Sequence, residues 1–201
     1  MLVIDKDGLI IESRVQRTRS PNIERGSIKS IDGIIVHQTG GASAQSALDS
    51  YRQPAANGAH FLIDKDGTIY QTASIYKQTW HVGKLKARCL LEKSCSPADL
   101  RALGKFSPSK ENKREMAKNL PDRFPSNQDS VGIELVGEAL PRDKKVPEQN
   151  KTYETVTNEQ NASLQWLISE LTLTLNIRAT DIFRHPDVSR KNPTEASTAK
   201  W

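Results

Sequence analysis

The stretch Gly33-Ile-Ile-Val-His-Gln-Thr-Gly-Gly41 is the clearest structural signal in the chain. Its apolar residues predict a buried strand over Ile31–His37, and Gly40-Gly41 end that strand because glycine adopts turn conformations at little cost. The strand ends on a histidine, and a neutral imidazole is a standard zinc ligand. A lone histidine in this position is more often an ordinary surface residue, so His37 becomes a candidate ligand only if a partner exists elsewhere.

A second predicted strand ends in the same way near the carboxyl terminus. Asp181–Arg184 is a short strand-like run that leads directly into His185. Two histidines at strand ends can meet at one rim of a sheet, although they lie about 150 residues apart. Position alone leaves open whether His37 and His185 form a metal-binding pair or are two ordinary histidines.

The segments between the two histidines alternate between strand-like and helix-like patterns. Helices are predicted over Ser43–Gln53 and over Thr157–Leu175, where Thr157 and Gln160 form a capping-box pattern. Further strands are predicted over Ser130–Val136 and Gln78–Val82, and two Asp-Gly hairpins at Ile4–Gly8 and Ile63–Gly67. This alternation predicts an α/β fold with a central mixed β-sheet flanked by helices.

Residues 84–128 differ in composition from the rest, being rich in Lys, Ser, Pro and Asn. Helix-like pieces at Pro97–Leu103 and Ser109–Asn119 predict a long helical insertion over one edge of the core. Cys89 and Cys95 lie in this segment, and they are either a small disulfide of an oxidising compartment or two free thiols. We expect a single domain over residues 1–201, with its core at about 21–201.

Composition narrows the classes of function without selecting one. The chain has 201 residues, a net charge of +5 and a pI near 9.2, which favours anionic partners such as nucleic acid, acidic lipid or cell wall. No nucleic-acid-binding motif is evident, and no apolar run has the roughly 18 residues of a membrane span. Residues 1–8 lack the features of a signal peptide, which predicts a protein that is not exported by the general secretory route.

Five motifs occur in an order typical of one known family. They are Ile34–Thr39, Ala59–Gln71, Trp80–Gly83, Asn127–Leu135 and His185–Val188. Together they resemble the zinc-dependent N-acetylmuramoyl-L-alanine amidases, which include peptidoglycan-recycling amidases, phage amidase-lysozymes and peptidoglycan recognition proteins. The resemblance spans Pro21 to Glu195. It implies a peptidoglycan-recognition-protein-like fold and hydrolysis of the amide between N-acetylmuramic acid and L-alanine.

The resemblance also implies a ligand set for Zn²⁺. His37 and His185 match the first two ligands, and the third is an Asp or Cys eight to ten residues after the second histidine. That window contains neither, but it contains Glu195, whose carboxylate suits zinc. Asp187 is the competing candidate, and we expect it to orient the loop instead.

Further roles follow from the same motifs. Glu134 matches a strand glutamate that acts as the general base, and its alternative is a structural carboxylate bonded to the Trp80-His81 segment. Lys191 matches a lysine that stabilises the oxyanion, although its spacing to the third ligand is altered here and it is otherwise a surface charge. Trp80 and His81 are expected in the substrate groove, and His60 in the core or the wall.

Several functional interpretations remain open at this point, among them an unrelated zinc peptidase and the three that follow. The first is a peptidoglycan amidase that works as a phage lysin or a secreted antibacterial effector, reaching the periplasm of a target cell after release from the cytoplasm. The second is a catalytically inactive peptidoglycan-binding module, and the third is a cytoplasmic muropeptide-recycling amidase. An injected effector also implies a neutralising immunity protein. We expect a monomer that neither binds nucleic acid nor inserts into membranes.

Overall fold

The computed structural model describes residues 1–201, and a seven-stranded mixed β-sheet forms its centre. Its strands are β1 (Val15–Arg17), β3 (Gly33–Gly40), β4 (Phe61–Ile63), β5 (Ile69–Gln71), β7 (Ser130–Leu140), β8 (Thr152–Tyr153) and β9 (Ile182–Arg184). A separate two-stranded antiparallel sheet consists of β2 (Glu24–Ser27) and β6 (Lys77–Thr79). The order in the large sheet is β1-β5-β4-β7-β3-β9, and β8 pairs with the carboxyl end of β7.

Strand β3 lies inside the sheet because both of its edges pair in parallel, with β7 on one side and β9 on the other. Ile34, Ile35 and Val36 are fully buried. A strand covered on both faces appears in the sequence as a continuous apolar run, which is the pattern that predicted it. β4 also runs parallel to β7, whereas β5 returns antiparallel to β4 after Gly67. The predicted mixed sheet is confirmed.

Helices cover both faces of the sheet, as the predicted fold class requires. They are α1 (Ala44–Tyr51), α2 (Arg88–Glu92), α3 (Pro97–Leu103), α4 (Pro108–Glu115), α5 (Asn158–Leu175) and α6 (His185–Val188). α5 packs on one face, and its predicted capping box is present, since Thr157 and Gln160 each accept a hydrogen bond from the other's backbone N–H. α1 packs on the opposite face, where Ala44 meets Leu62 and Val136.

The amino-terminal hairpin is shorter than the apolar runs predict. The turn closes, with Asp5 N donating to Leu9 O (2.9 Å), but the ladder is a single bridge between Ile4 and Ile10. The reason is that the backbone N–H of Ile10 donates to the side-chain Oε1 of Gln71 (2.7 Å) instead of to a neighbouring strand. The first strand of the large sheet is β1, which the sequence pattern did not reveal.

The segment at 84–128 contains α3 with the predicted bounds. α4 ends at Glu115, four residues before the predicted end, and the short α2 was not predicted. Cys89 and Cys95 form a disulfide. We continue to interpret this segment as an insertion into a single domain. No helix of the chain combines the length and apolar character that crossing a bilayer requires.

Candidate active site

The register of three parallel strands brings His37 and His185 together. Val36 on β3 is opposite Arg184 on β9, so that His37 and His185 are the next residues of two adjacent strands. Across the other edge of β3, His37 is opposite Glu134 on β7. The two imidazole centroids are 4.2 Å apart. The site therefore lies at the carboxyl ends of parallel strands, which is where open α/β sheets bind their ligands.

Glu195 joins the two histidines in a buried group of three. Their candidate ligand atoms all lie within 4.8 Å of one another. Oε1 of Glu195 is 2.9 Å from Nδ1 of His185 and 3.7 Å from Nδ1 of His37. Asp187 lies outside this group, and its carboxylate accepts a hydrogen bond from the backbone N–H of Arg184 (3.3 Å). The structure thus brings together the three residues predicted as ligands and leaves the competing carboxylate in the adjoining turn.

Gln38 holds the loop that carries Glu195. Its Oε1 accepts a hydrogen bond from the backbone N–H of Ala196 (3.1 Å), and its Nε2 donates to the carbonyl of Glu154 (2.9 Å). Gly137 leaves room for this side chain, because a Cβ there would lie 1.9 Å from Nε2 of Gln38. The sequence interpretation missed this role, although Gln38 directly follows His37 in the opening motif.

A chain of hydrogen bonds determines which nitrogen of His37 carries the proton, and therefore whether the nitrogen that faces Glu195 has a lone pair. Ser130 Oγ donates to the carbonyl of Ser126 (2.6 Å), so it must accept from Nε2 of His81 (3.4 Å). Nδ1 of a neutral His81 then carries a lone pair and accepts from Nε2 of His37 (2.9 Å). Nδ1 of His37 is left with a lone pair that points toward the carboxylate. Such outer partners are a common means of orienting metal-ligating histidines.

His185 is oriented in the same way by a different partner. Its Nε2 lies 2.9 Å from the carbonyl oxygen of Val82, which can only accept, so Nε2 carries the proton. Nδ1 of a neutral His185 therefore directs its lone pair at Oε1 of Glu195, 2.9 Å away. Two acceptors at this distance require a cation between them, either a proton or a metal ion. Two imidazole nitrogens and a carboxylate oxygen are a donor set that fits zinc.

The electrostatics of the group favour the ligand forms of these side chains. Burial, together with the neighbouring His185, lowers the pKa of His37 to about 4. Burial by itself would raise the pKa of Glu195, but the contacts with His185 and His37 outweigh it and lower that pKa to about 2. At neutral pH the imidazole of His37 is therefore neutral and Glu195 is ionised, as metal coordination requires.

Glu134 is a buried carboxyl group beside the three residues. Burial, followed by the charge of Glu195, raises its pKa to about 8. Its Oε2 has no hydrogen-bond partner, and the side chain forms no bond to the Trp80-His81 segment. The structural alternative for Glu134 is therefore absent. A buried polar atom without a partner is uncommon and marks a site where a ligand or water belongs.

All seven predicted site residues line one open cavity of about 890 Å³: His37, Trp80, His81, Glu134, His185, Lys191 and Glu195. Lys191 forms no ion pair, and its positive charge partly offsets the rise in the pKa of Glu134 and adds to the lowering of the pKa of His37. Trp80 is 54% exposed at the edge of the cavity, with the guanidinium of Arg25 4.8 Å above its ring. His81 is buried and contacts His37 directly.

His60 is a buried histidine outside the cavity, and both of its ring nitrogens have hydrogen-bond partners. Its Nδ1 accepts from the backbone N–H of Gly132 (3.0 Å), and its Nε2 donates to the carbonyl of Lys77 (2.8 Å). Gly132 also leaves space for His81, because a Cβ there would lie 2.7 Å from Nδ1 of that ring. Ser130 and Gly132 belong to the Ser-Val-Gly motif, which was the available signal for these supporting roles.

Comparisons with solved structures show which folds this chain resembles. It is 17% identical to a selenomethionine derivative of AmpD, with a TM-score of 0.57, covering 96% of this chain and 94% of that one. It is 12% identical to the catalytic domain of PlyG, with a TM-score of 0.51 and coverage of 89% and 81%. It is 20% identical to the endolysin N-acetylmuramoyl-L-alanine amidase LysCS from Clostridium intestinale URNW, with a TM-score of 0.50 and coverage of 88% and 84%. These likenesses establish a shared fold.

The sequence of the chain matches the model of one protein family. That family is described as N-acetylmuramoyl-L-alanine amidase, and the match covers residues 27–196, which is most of the chain. A search of curated proteins gives no significant match. The matched segment includes all of the strands that carry the site and all three clustered residues, His37, His185 and Glu195. The chain therefore belongs to the N-acetylmuramoyl-L-alanine amidase family and is a peptidoglycan amidase.

Proposed function

We propose that this amidase is zinc-dependent, with His37, His185 and Glu195 as the metal ligands. It would cut the amide between the lactyl group of N-acetylmuramic acid and the L-alanine of the stem peptide. One observation carries the proposal. Three buried ligand atoms converge at the floor of an open cavity, next to a buried carboxyl oxygen, on Glu134, that has no partner.

The roles of the residues follow from their positions. When bound, zinc supplies Lewis acidity toward a carbonyl and toward water. A cation held by Glu195 would offset the negative charge that helps to raise the pKa of Glu134 to about 8, so that Glu134 would be ionised. It would then accept the proton of the attacking water at its unpartnered Oε2 and deliver it to the leaving nitrogen of L-alanine. Lys191 lines the cavity without an ion-pair partner, so its ammonium group is available to stabilise the oxyanion.

The shape of the cavity suits a polymeric substrate. The cavity is open to solvent, and most of its lining is polar. Trp80 presents an exposed aromatic face at its edge, where a sugar ring or stem-peptide side chain can pack. His81 lies deeper and holds His37, so we assign it mainly to positioning the ligand and only secondarily to contact with the stem peptide.

Metal analysis and product analysis test this function together. Purified protein should contain about one zinc per chain, and mass spectrometry of digested sacculi should show stem peptides with a free L-alanine amino terminus. Glu134→Gln should keep the zinc but lower kcat by about 100- to 10,000-fold, the usual contribution of a general base. Glu195→Ala should lose the zinc.

Glu138→Gln is the matched control, because Glu138 lies on the same strand and pairs with Arg142 at the surface. Its activity should stay within about twofold of the parent. Cleavage inside the stem peptide, or full activity after complete removal of metal, would show that the proposal is wrong.

We further propose that the enzyme acts on the wall of a target cell, as a lysin or an effector, and not in recycling. The disulfide between Cys89 and Cys95 supports this setting, because such bonds persist in oxidising compartments such as the periplasm. Expression with and without a periplasmic targeting sequence tests it. Lysis upon periplasmic delivery alone is the expected result, whereas no lysis by an enzyme that hydrolyses soluble muropeptides would favour recycling. An effector would additionally require an immunity protein in the producing cell.

A further inference from the structure

A second cavity lies in the helical segment beside the active site, and its lining is strongly basic. Its volume is about 120 Å³. The charged residues around it are Lys105, Lys110, Glu111, Arg114 and Arg190, with Phe106 and Ser107 between them. We call this cavity the basic pocket. Four cations surround it against a single carboxylate, so its charge is far from balanced.

Both oxygens of the single carboxylate in the basic pocket, that of Glu111, already have partners within the protein. Oε1 of Glu111 accepts a hydrogen bond from the backbone N–H of Ala87 (2.8 Å), and its Oε2 is paired with Arg190. Lys105 and Lys110 are exposed and form no ion pair. Three positive charges therefore face the basic pocket without a counter-charge from the protein.

Arg114 is the most informative residue of the basic pocket. It is half-buried, yet its guanidinium forms neither a hydrogen bond nor an ion pair, and its Nε is completely buried without a partner. Burying a charged group costs free energy unless it is paired, and native proteins pair such groups with few exceptions. The hydroxyl of Ser107 beside it forms no capping bond to α4 and is also free to donate. These donors point to an absent anion.

We propose that the basic pocket binds a phosphate group. The cavity is small, at about 120 Å³, which suits a compact tetrahedral oxyanion. Guanidinium groups bind phosphate oxygens through paired hydrogen bonds, and lysines add charge without demanding one geometry. The ring of Phe106 is 81% exposed and lies 5.2 Å from the guanidinium of Arg190, which gives the mouth an apolar edge for the carbon part of a phosphoester.

The position of Arg190 indicates where such a phosphate comes from. Its side chain lines both the basic pocket and the active-site cavity, and it precedes Lys191 in the loop that carries Glu195. A phosphate in the basic pocket would therefore sit beside the bound wall strand. We assign the pocket to a phosphodiester group carried by the cell-wall polymer, and this assignment rests on the proposed amidase function. Free inorganic phosphate is the other source of the same chemistry.

Direct titration tests the pocket independently of catalysis. The full chain is titrated with inorganic phosphate by calorimetry at constant ionic strength, because screening weakens any exposed charge. Arg114→Gln should weaken phosphate binding at least tenfold. Lys113→Gln is the matched control, because it removes one positive charge from the neighbouring position of α4, which is exposed and does not line the basic pocket. It should change binding less than twofold. No saturable binding, or equal losses in both variants, would overturn the proposal.

Kinetics then distinguish the two sources of phosphate. With sacculi that carry a phosphodiester polymer, Arg114→Gln should raise KM several-fold, while kcat and the hydrolysis of a phosphate-free muramoyl peptide stay unchanged. Phosphate binding with an unaltered KM would support a free-phosphate site and overturn the wall-polymer assignment. If the parent protein binds phosphate but hydrolyses neither substrate, the proposed amidase mechanism fails and the basic pocket stands.

Discussion

Each imidazole of the candidate metal site is oriented by a hydrogen-bond partner at the nitrogen that faces away from Glu195. His37 is held by His81, and His185 by the carbonyl of Val82. These contacts use Nε2 of both rings and leave Nδ1 of each facing Glu195, which is the nitrogen that could bind a cation. Nothing in the identity of a histidine distinguishes such a ligand from His60, whose two nitrogens are used up by backbone groups. Its partners, and not its residue type, determine what each histidine does.

Gly132→Ala tests whether His81 sets the zinc affinity. The new Cβ would lie 2.7 Å from Nδ1 and 2.8 Å from Cγ of His81, so the ring must move and its bond to His37 must break. Zinc affinity should fall about 10- to 100-fold, the usual effect of losing an outer partner of a ligand. Competition with a chromophoric chelator measures it.

Gly26→Ala is the control for this substitution, because its Cβ would meet only Nε2 of Gln78 at an ordinary 3.5 Å. An alanine at Gly132 that preserves both the fold and the zinc affinity would contradict the positioning role of His81.

His60 should make stability depend on pH. Burial lowers its pKa from 6.5 to about 4. Between these two pH values the imidazole of His60 is neutral in the folded protein but binds a proton in the unfolded chain. Above pH 6.5 His60 costs nothing, and between pH 6.5 and 4 it should remove on the order of 3 kcal/mol from the free energy of unfolding. Urea unfolding of zinc-free protein at pH 7 and pH 4.5 measures this loss.

His60→Gln removes the titration while keeping an amide that can donate to the carbonyl of Lys77. The variant should be less stable at pH 7 but lose less stability on acidification than the parent. An identical loss in both proteins would mean that His60 is not the titrating group.

Helix α5 is the element that the sequence defined best. Its capping box is a local pattern that needs no distant partner, and it is present at the predicted positions. β1 and the amino-terminal hairpin show the opposite case. Their pairing depends on Gln71, which lies more than fifty residues away, and no local pattern reveals such a contact.

Leu171→Ala tests the packing of α5 on the sheet. Leu171 is fully buried in the largest apolar cluster, so the truncation should cost about 2–5 kcal/mol in the free energy of unfolding. Leu173, two residues along the same helix, is 64% exposed, and Leu173→Ala should cost less than about 0.5 kcal/mol. Chemical denaturation measures both, and equal effects would contradict the assigned face of the helix.

The molecule as a whole assembles its site from β3, β7 and the carboxyl-terminal loop. Because His37 is distant in sequence from His185 and Glu195, an ion bound to all three would cross-link the folded state and would have no equivalent site in the unfolded one. Zinc at one hundred times its Kd should therefore stabilise the fold by about 2.7 kcal/mol. Removal by a chelator should lower Tm, and zinc should restore it.

Glu195→Gln serves as the control for this experiment, because it keeps the size of the side chain but removes its negative charge. Its Tm should respond much less to zinc than the Tm of the parent. A chelator that leaves the Tm of the parent unchanged would argue against a metal shared by these residues.

Most residues of the candidate site could be predicted from the sequence, whereas the residues that position them could not. His37, Glu134, His185 and Glu195 stand in motifs whose order indicated a family, and the fold places them together. Gln38, Ser130 and Gly132 stand in the same motifs, but their roles depend on which side chain each one meets. The proximity of Arg114, Lys105 and Arg190 is likewise a property of packing.

The sequence alone was sufficient to establish the α/β class, the main helix and the central strand, because periodicity, capping and apolar runs act over a few residues. It also identified the family and singled out His37 and His185. Folding placed Glu195, and not Asp187, beside the two histidines, left Oε2 of Glu134 without a partner, and turned Nδ1 of each histidine toward Glu195. Those outcomes depend on distances of about 3 Å between atoms, many of them from distant segments, and these distances are set by the register of the parallel strands together with tertiary contacts such as that of Gln38 with Ala196.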